Sequence, residues 1–586
     1  MGRPMIDPIT REIVQSGLSA AADEMANTVY RTAYSTIVRD CLDYSTSLCD
    51  ARGEMIAQGV TIPFHLGSVP FAMEALLAKF DEDMYPGDLF ILNDPFDGGM
   101  HIPDIFIVKP IFWEGTRMAF AVCTAHHLDL GGRLPGSSAC DNVEIFQDGF
   151  RIPWLKLYER GQPNEAIFTL LRANVRVPEM TMGDLRSQIS ACHIGERAIF
   201  NLIRRYGADS LKALTTDLID YTERLVRAEI GEWPDGTATF VDYMDSDGVD
   251  VNPVKLQATI TIEGDSLTAD FTGSAPQVRG ALNNTLSFTA SVVYLCVRAA
   301  MKTEVPNTAG MFKPITVIAP EGTVVNGAMP AASSMRGVTG FRLTDTVFGA
   351  LAQLLPDRIL AAGEGGNTLV IIGGERPDRS HYVFYELLSG TWGARPDRDG
   401  NDGLCNPANV ASNIPIEEAE SNYPIRIERY GLLQDSGGPG KFRGGLAIHR
   451  EWTLLEGDAH LAIRSDRRDH LPYGLFGGKP ATGSLNRLKR PEGIETLPVM
   501  ISSTIHANET LYHRQPGGGG FGDPLERVPQ RVAIDVRNEK VSRTAAREEY
   551  GVVFQGDSFE VDVATTEELR QNLALQRSPT GRKRPG

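Results

Sequence analysis

Apolar residues recur at helical spacing from the start of the chain. Asp7-Pro8 supplies an N-cap followed by proline at the first helical position, and Ile9, Ile13, Met25, Val29 and Ala33 predict a helix to about Tyr34. Between residues 36 and 130 the pattern shortens. Apolar runs alternate there with the turns Asp50-Ala51-Arg52-Gly53, Tyr85-Pro86-Gly87-Asp88 and Trp113-Glu114-Gly115. This predicts a mixed sheet with one helix inserted near Val69–Phe80, and Met118–Cys123 reads as a buried strand. Helical period returns from Asp184 to Tyr206, where Leu185, Ile189, Cys192, Ile199 and Ile203 mark one face, and again from about Asp209 to Glu232. His193 falls on that apolar face and is expected to be a core histidine.

After Trp233-Pro234-Asp235-Gly236 the period becomes two. Leu256, Ala258, Ile260 and Ile262 alternate, Glu263-Gly264-Asp265 turns, and Leu267, Ala269 and Phe271 alternate back as a hairpin. Ser287–Met301 is helical, the chain beyond Ser421 is glycine-rich and β-like to about Pro524, and the last sixty residues read as a helical tail with a disordered end. The expected class is α+β and multi-domain, with mixed and antiparallel sheets, helices and a glycine-rich β-like C-terminal half. The expected boundaries are residues 1–232, 233–420, 421–526 and 527–586. There is no internal repeat.

Composition removes several function classes. The 586 residues carry a net charge of −18, so neither a nucleic-acid nor a membrane-surface partner is expected. The basic run from Arg577 to Arg584 contains proline and glycine and reads as a disordered end. Seven scattered cysteines (41, 49, 123, 140, 192, 296 and 405) contain no C-x-x-C pair, which argues for a reducing compartment. With no leader pattern and no run of eighteen apolar residues, a cytoplasmic location is expected.

The densest chemistry lies in Asn93-Asp94-Pro95-Phe96-Asp97-Gly98-Gly99-Met100-His101-Ile102-Pro103-Asp104 and Thr124-Ala125-His126-His127-Leu128-Asp129. His and Asp three apart can place a nitrogen and an oxygen on one cation, and a later His can add a third ligand. Imidazole with carboxylate suits a borderline divalent metal such as Zn²⁺ or Mn²⁺, and incomplete coordination leaves room for a water or substrate oxygen. The same residues also suit turns, caps and a satisfied core histidine, and spacing alone does not choose between the readings.

Two glycine motifs lead elsewhere and stop. Gly517-Gly518-Gly519-Gly520-Phe521-Gly522 has the G-x-G-x-x-G form but lacks the strand before it and the helix after it. Asp435-Ser436-Gly437-Gly438-Pro439 looks like a serine-protease nucleophile loop, yet Gln434 stands where its first glycine belongs. Both are expected to be turns. No G-x-x-x-x-G-K-[ST] occurs, so any ATP chemistry is expected on another chain.

Taken together, several blocks resemble the hydantoinase B/oxoprolinase family across roughly residues 5–525. They are Arg39-Asp40-Cys41-Leu42-Asp43-Tyr44-Ser45, Pro63-Phe64-His65-Leu66-Gly67-Ser68, the two histidine segments, Asp184-Leu185-Arg186-Ser187-Gln188-Ile189, Glu420-Ser421-Asn422-Tyr423-Pro424, and the glycine blocks after Ser436 and Pro516. The resemblance implies a subunit that works with an ATP-binding hydantoinase A-type chain, in a dimer of heterodimers or a higher assembly. That partner phosphorylates a carbonyl oxygen of a cyclic amide (hydantoin, lactam or 5-oxoproline), and this chain hydrolyses the intermediate at one Zn or Mn. The implied ligands are Asp43, His101, Asp104 and His126, with Asp40 and His127 as second choices for the first carboxylate and the last imidazole. Glu144 and Asp148, just downstream, are the general-base candidates. The alternative is a subunit of an ATP-dependent ketone carboxylase of the acetone or acetophenone type.

Overall fold

A computed structural model describes residues 7–59, 62–65 and 67–577. The N-terminus and residues 578–586, which hold most of the basic tail, lie outside the described residues.

The first helix, Pro8–Thr32, begins as its sequence predicts. The Asp7 carboxylate accepts from the amides of Ile9 and Thr10, and Val14, Leu18, Met25 and Val29 are buried. It packs with the long helix Pro178–Tyr206 on a seven-stranded sheet. In chain order the strands are β1 (Tyr44–Asp50), β2 (Met55–Gln58), β3 (Leu89–Leu92), β4 (Asp104–Trp113), β5 (Thr116–His126), β6 (Leu155–Glu159) and β7 (Gln162–Pro163). Their spatial order is β2-β1-β5-β4-β3-β6-β7. The inserted helix is Ser68–Phe80. The expected mixed sheet is corrected here: each pairing is antiparallel, and short turns join β1 to β2, β4 to β5 and β6 to β7, where a parallel pair would need a long crossover.

His193 is also corrected. The buried stripe of its helix runs through Leu185, Gln188, Cys192 and Ile199. His193 sits one residue, about 100°, off that stripe. Its side chain is 51% exposed and faces Glu196 at 3.5 Å.

The expected hairpin is present as Val254–Glu263 and Ser266–Asp270, in a second, mixed sheet in which Ser266–Asp270 also pairs in parallel with Ile315–Ile318. A third sheet joins Thr368–Glu375 and His381–Leu388 to Asp458–Arg464 and Met500–His506, so hydrogen bonds tie the segments on either side of residue 420 together. A fourth contains Ile425–Leu432, Ile448–Leu454, Thr510–Arg514, Leu485–Arg490 and Gly493–Leu497. One apolar core runs from Val14 to Leu511, and a small separate one (Val532, Val536, Val541, Ala546, Tyr550, Val552) serves the C-terminal helices. The architecture is α+β with several sheets. Among the described residues no helix is long and apolar enough to cross a membrane.

The glycine blocks do more than turn. A Cβ on Gly444 would stand 1.7 Å from the carbonyl oxygen of Gly518, and one on Gly519 would stand 1.9 Å from that of Tyr473. Separate backbone segments cross there at a distance that admits no side chain.

Candidate functional site

The site starts from strand register. In the β4–β5 hairpin Asp104 lies opposite His126, and in the β1–β5 pair Tyr44 lies opposite Ala125. The His126 amide donates to the Asp43 carbonyl at 3.0 Å, continuing that ladder by one residue. Residues opposite one another share a face, so Asp43, His126 and Asp104 form a row across three strands. A turn closed by the Asp104 amide on the His101 carbonyl, at 3.0 Å, brings in His101. Asn93 anchors the loop leading to it, donating to the carbonyls of Ile102 (2.8 Å) and Phe150 (3.0 Å).

All four side chains line one cavity of about 490 Å³, solvent at its mouth included. His65, Arg336, Asn367, Tyr385 and Arg464 line it too. His101 Nδ1 lies 2.7 Å from Asp104 Oδ2. Arg336, at the start of the buried helix Arg336–Leu354, reaches the same oxygen at 2.5 Å and comes within 3.1 Å of His101 Nδ1. Its guanidinium lies 3.8 Å from the centre of the Phe288 ring. The Tyr385 hydroxyl lies 3.3 Å from His126 Nε2, and His126 Nδ1 is buried with no hydrogen-bond partner. His65 Nδ1 meets Ser45 Oγ at 2.8 Å, and its Nε2 is 3.9 Å from Asp43 Oδ1.

Burial, with the nearby Arg336 charge, lowers His101 to about 4. Burial likewise lowers His65 to about 4 and depresses His126. These imidazoles are neutral at physiological pH. Burial and the neighbouring Asp104 push Asp43 up to about 7. Asp104 is also penalised by burial, but His101 and Arg336 hold it below the usual carboxylate range.

The remaining sequence-chosen residues lie elsewhere. Asp40 pairs with Arg39 at 2.9 Å and does not line the cavity. His127 turns to the opposite sheet face, where its Nε2 lies 2.9 Å from Gln188 Oε1. Glu144 precedes the short helix Ile145–Asp148, outside the cavity lining. Asp148 is buried away from the cavity and accepts from the amides of Ser333 (2.8 Å) and Ser334 (3.0 Å), so it fixes the loop that carries Arg336. Neither general-base candidate reaches the site. Proximity in sequence to the histidines was their only qualification.

The donors suit a borderline divalent cation: two neutral imidazoles, one with an unsatisfied buried nitrogen, and two carboxylates. Among the described residues no three His, Cys, Asp or Glu side chains are already drawn together as a metal-holding group. Arg336 instead shares Asp104 with His101.

Residues 7–524 match the family model described as Hydantoinase B/oxoprolinase. The caprolactamase subunit beta of Pseudomonas jessenii is 34% identical over 575 residues, covering 96% of this chain and 98% of that one. The crystal structure of ATP-dependent caprolactamase from the same organism superposes with a TM-score of 0.89 at 32% identity, over 97% of this chain and 100% of that one. The nucleotide-free acetone carboxylase structure has a TM-score of 0.91 at 21% identity, over 99% and 84%, which is a likeness of fold. With its motifs in order over nearly the whole length and the same fold around them, the chain belongs to the hydantoinase B/oxoprolinase family.

Proposed function

We propose that this chain is the metal-bearing subunit of an ATP-dependent cyclic-amide hydrolase and processes an intermediate phosphorylated by a hydantoinase A-type partner. The observation that carries the reading is the convergence of Asp43, His101, Asp104 and His126 on one buried cavity with His126 Nδ1 unsatisfied. The caprolactamase relative, similar over almost its full length, supports a lactam-like substrate over a ketone.

The four residues would hold one Zn²⁺ or Mn²⁺, which supplies Lewis acidity and makes water nucleophilic near neutral pH. The chain's own groups do the rest. Tyr385 and the strand register orient His126, and Arg336 holds Asp104 ionised. His65, fixed by Ser45, presents Nε2 towards Asp43 and is the imidazole placed to accept a proton. An unactivated amide has a poor leaving group. Phosphorylation of its oxygen by the partner gives a carbon that water can attack, so the two chains divide activation from hydrolysis.

Elemental analysis of the purified protein is expected to find about one divalent transition metal per chain, lost from folded His101→Ala and Asp104→Ala. Full metal content in both variants would sink the site. Co-purified with its A-type partner, the chain is expected to couple ring opening to ATP cleavage, and alone to open no ring. Product formation that requires bicarbonate and retains its carbon would assign the carboxylase instead.

A further inference from the structure

Among the described residues seven arginines are buried: Arg336, Arg342, Arg443, Arg450, Arg464, Arg467 and Arg527. Six of them meet a carboxylate within 4.0 Å. Arg464, among the described residues, does not. It is 5% exposed, lines the cavity, donates from one Nη to the Asn367 carbonyl at 3.2 Å, and leaves Nε without a partner. A buried guanidinium without a counter-ion is costly unless something anionic completes it.

The surroundings fit that use. Arg464 is the last residue of the strand Asp458–Arg464. It lies against Gly337, the second residue of the helix Arg336–Leu354, where a Cβ would come within 3.1 Å of one Nη and 3.4 Å of the other. A helix N-terminus carries partial positive charge, so an anion there meets it and the guanidinium together. The glycine leaves the room. Arg336 cannot serve in the same way, because Asp104 already engages it.

We infer that Arg464 is the anion-binding arm of the cavity and receives a phosphoryl oxygen of the substrate, across from the Asp43–His126–Asp104 row. A planar guanidinium binds phosphoryl oxygens through paired N–H donors, and its charge matches the group that the partner would add. The choice of a phosphoryl group over another oxyanion rests on the proposed function. The presence of an anion site rests on Arg464 alone.

The test is calorimetric titration of the full chain with inorganic phosphate, and in a separate arm with acetate, using wild type, Arg464→Lys, Arg464→Met and Gly337→Ala. Metal content and thermal unfolding are measured on the same samples. Phosphate is expected to bind wild type, roughly tenfold or more weakly Arg464→Met, and with an intermediate loss Arg464→Lys. Gly337→Ala favours the helix yet crowds the guanidinium, so it is expected to lose affinity with its melting temperature kept. Undiminished phosphate binding by folded Gly337→Ala and Arg464→Lys would overturn the site. Acetate binding as strong as phosphate would overturn the phosphoryl assignment. Phosphate binding that depends on Arg464 in protein free of metal would uphold this site while removing the metal reading.

Discussion

Two buried charge clusters stand a few residues apart in this chain and are built on opposite principles. Just beyond Arg464, Asp466 meets Arg342 at 2.5 Å and Arg467 meets Asp345 at 2.5 Å, while Asp242 is within 3.3 Å of both arginines. Asp245 adds a cap on the following loop, accepting from the Arg468 amide at 2.6 Å and the His470 amide at 3.0 Å. Each cation there has its anion. In the cavity compensation stays incomplete: among the described residues no lysine or arginine comes within ion-pair distance of Asp43, His126 has an idle nitrogen, and Arg464 has no carboxylate within 4.0 Å. Burial of charge is therefore no mark of function by itself. Incomplete compensation is the mark, because the missing partner has to arrive from outside.

The largest effect is expected from opening the closed cluster. Asp466→Ala removes the carboxylate 2.5 Å from Arg342 and leaves Asp242 to serve two buried arginines, which is expected to cost about 3–5 kcal/mol in denaturant unfolding. A loss below about 1 kcal/mol would erase the contrast with the cavity.

Glu364 sharpens it from the other side. Buried beside Asp345 and Arg467, it is pushed up to about 8 by burial and by Asp345. Its folded value lies above the unfolded value of about 4.3. The neutral acid thus contributes stability in full below that value, and the contribution is lost as pH rises towards 8. Glu364→Gln is expected to exceed wild type by roughly 2–4 kcal/mol at pH 9, the gain fading towards pH 4. A pH-independent difference would break the assignment.

For the cavity itself, Zn²⁺ or Mn²⁺ at a hundredfold excess over Kd is expected to stabilise by about 2.7 kcal/mol. Chelation should reverse this, and Asp43→Ala should abolish it while leaving the Asp466 cluster undisturbed. The smallest effect belongs to the surface. His193→Ala, with its exposed ring, is expected to change stability by less than about 0.5 kcal/mol, and a larger loss would return His193 to the core.

What was legible in the sequence was local. Asp7-Pro8 began a helix as read, the hairpin from Leu256 lies where alternation put it, and His101-x-x-Asp104 and His126 stand on one cavity. Alternation also separated His126 from His127, which face opposite sides of the sheet. Arg336, Tyr385 and Arg464 stayed hidden because they come from a helix start and two strands of another sheet, joined to the row only by tertiary packing. His65 lies within the block Pro63-Phe64-His65, where no acidic residue at metal-ligand spacing singles it out. The glycines after Pro516 read as turns because no strand pattern precedes them and no helix pattern follows. The segments they must approach, at Tyr473 and Gly444, lie tens of residues away.

The span from Asp43 to Arg464 also has a consequence in time. A growing chain has produced the Asp43, His126 and Asp104 strands once the first sheet has left the ribosome. Arg464 follows several hundred residues later, on the order of tens of seconds at ordinary synthesis rates. Arg336, Asn367 and Tyr385 come in between, and Arg464 is the last residue of the lining to be made. A chain cut between His126 and Arg464 keeps the histidines and lacks the proposed anion-binding arm, so the complete cavity lining is a late product of synthesis.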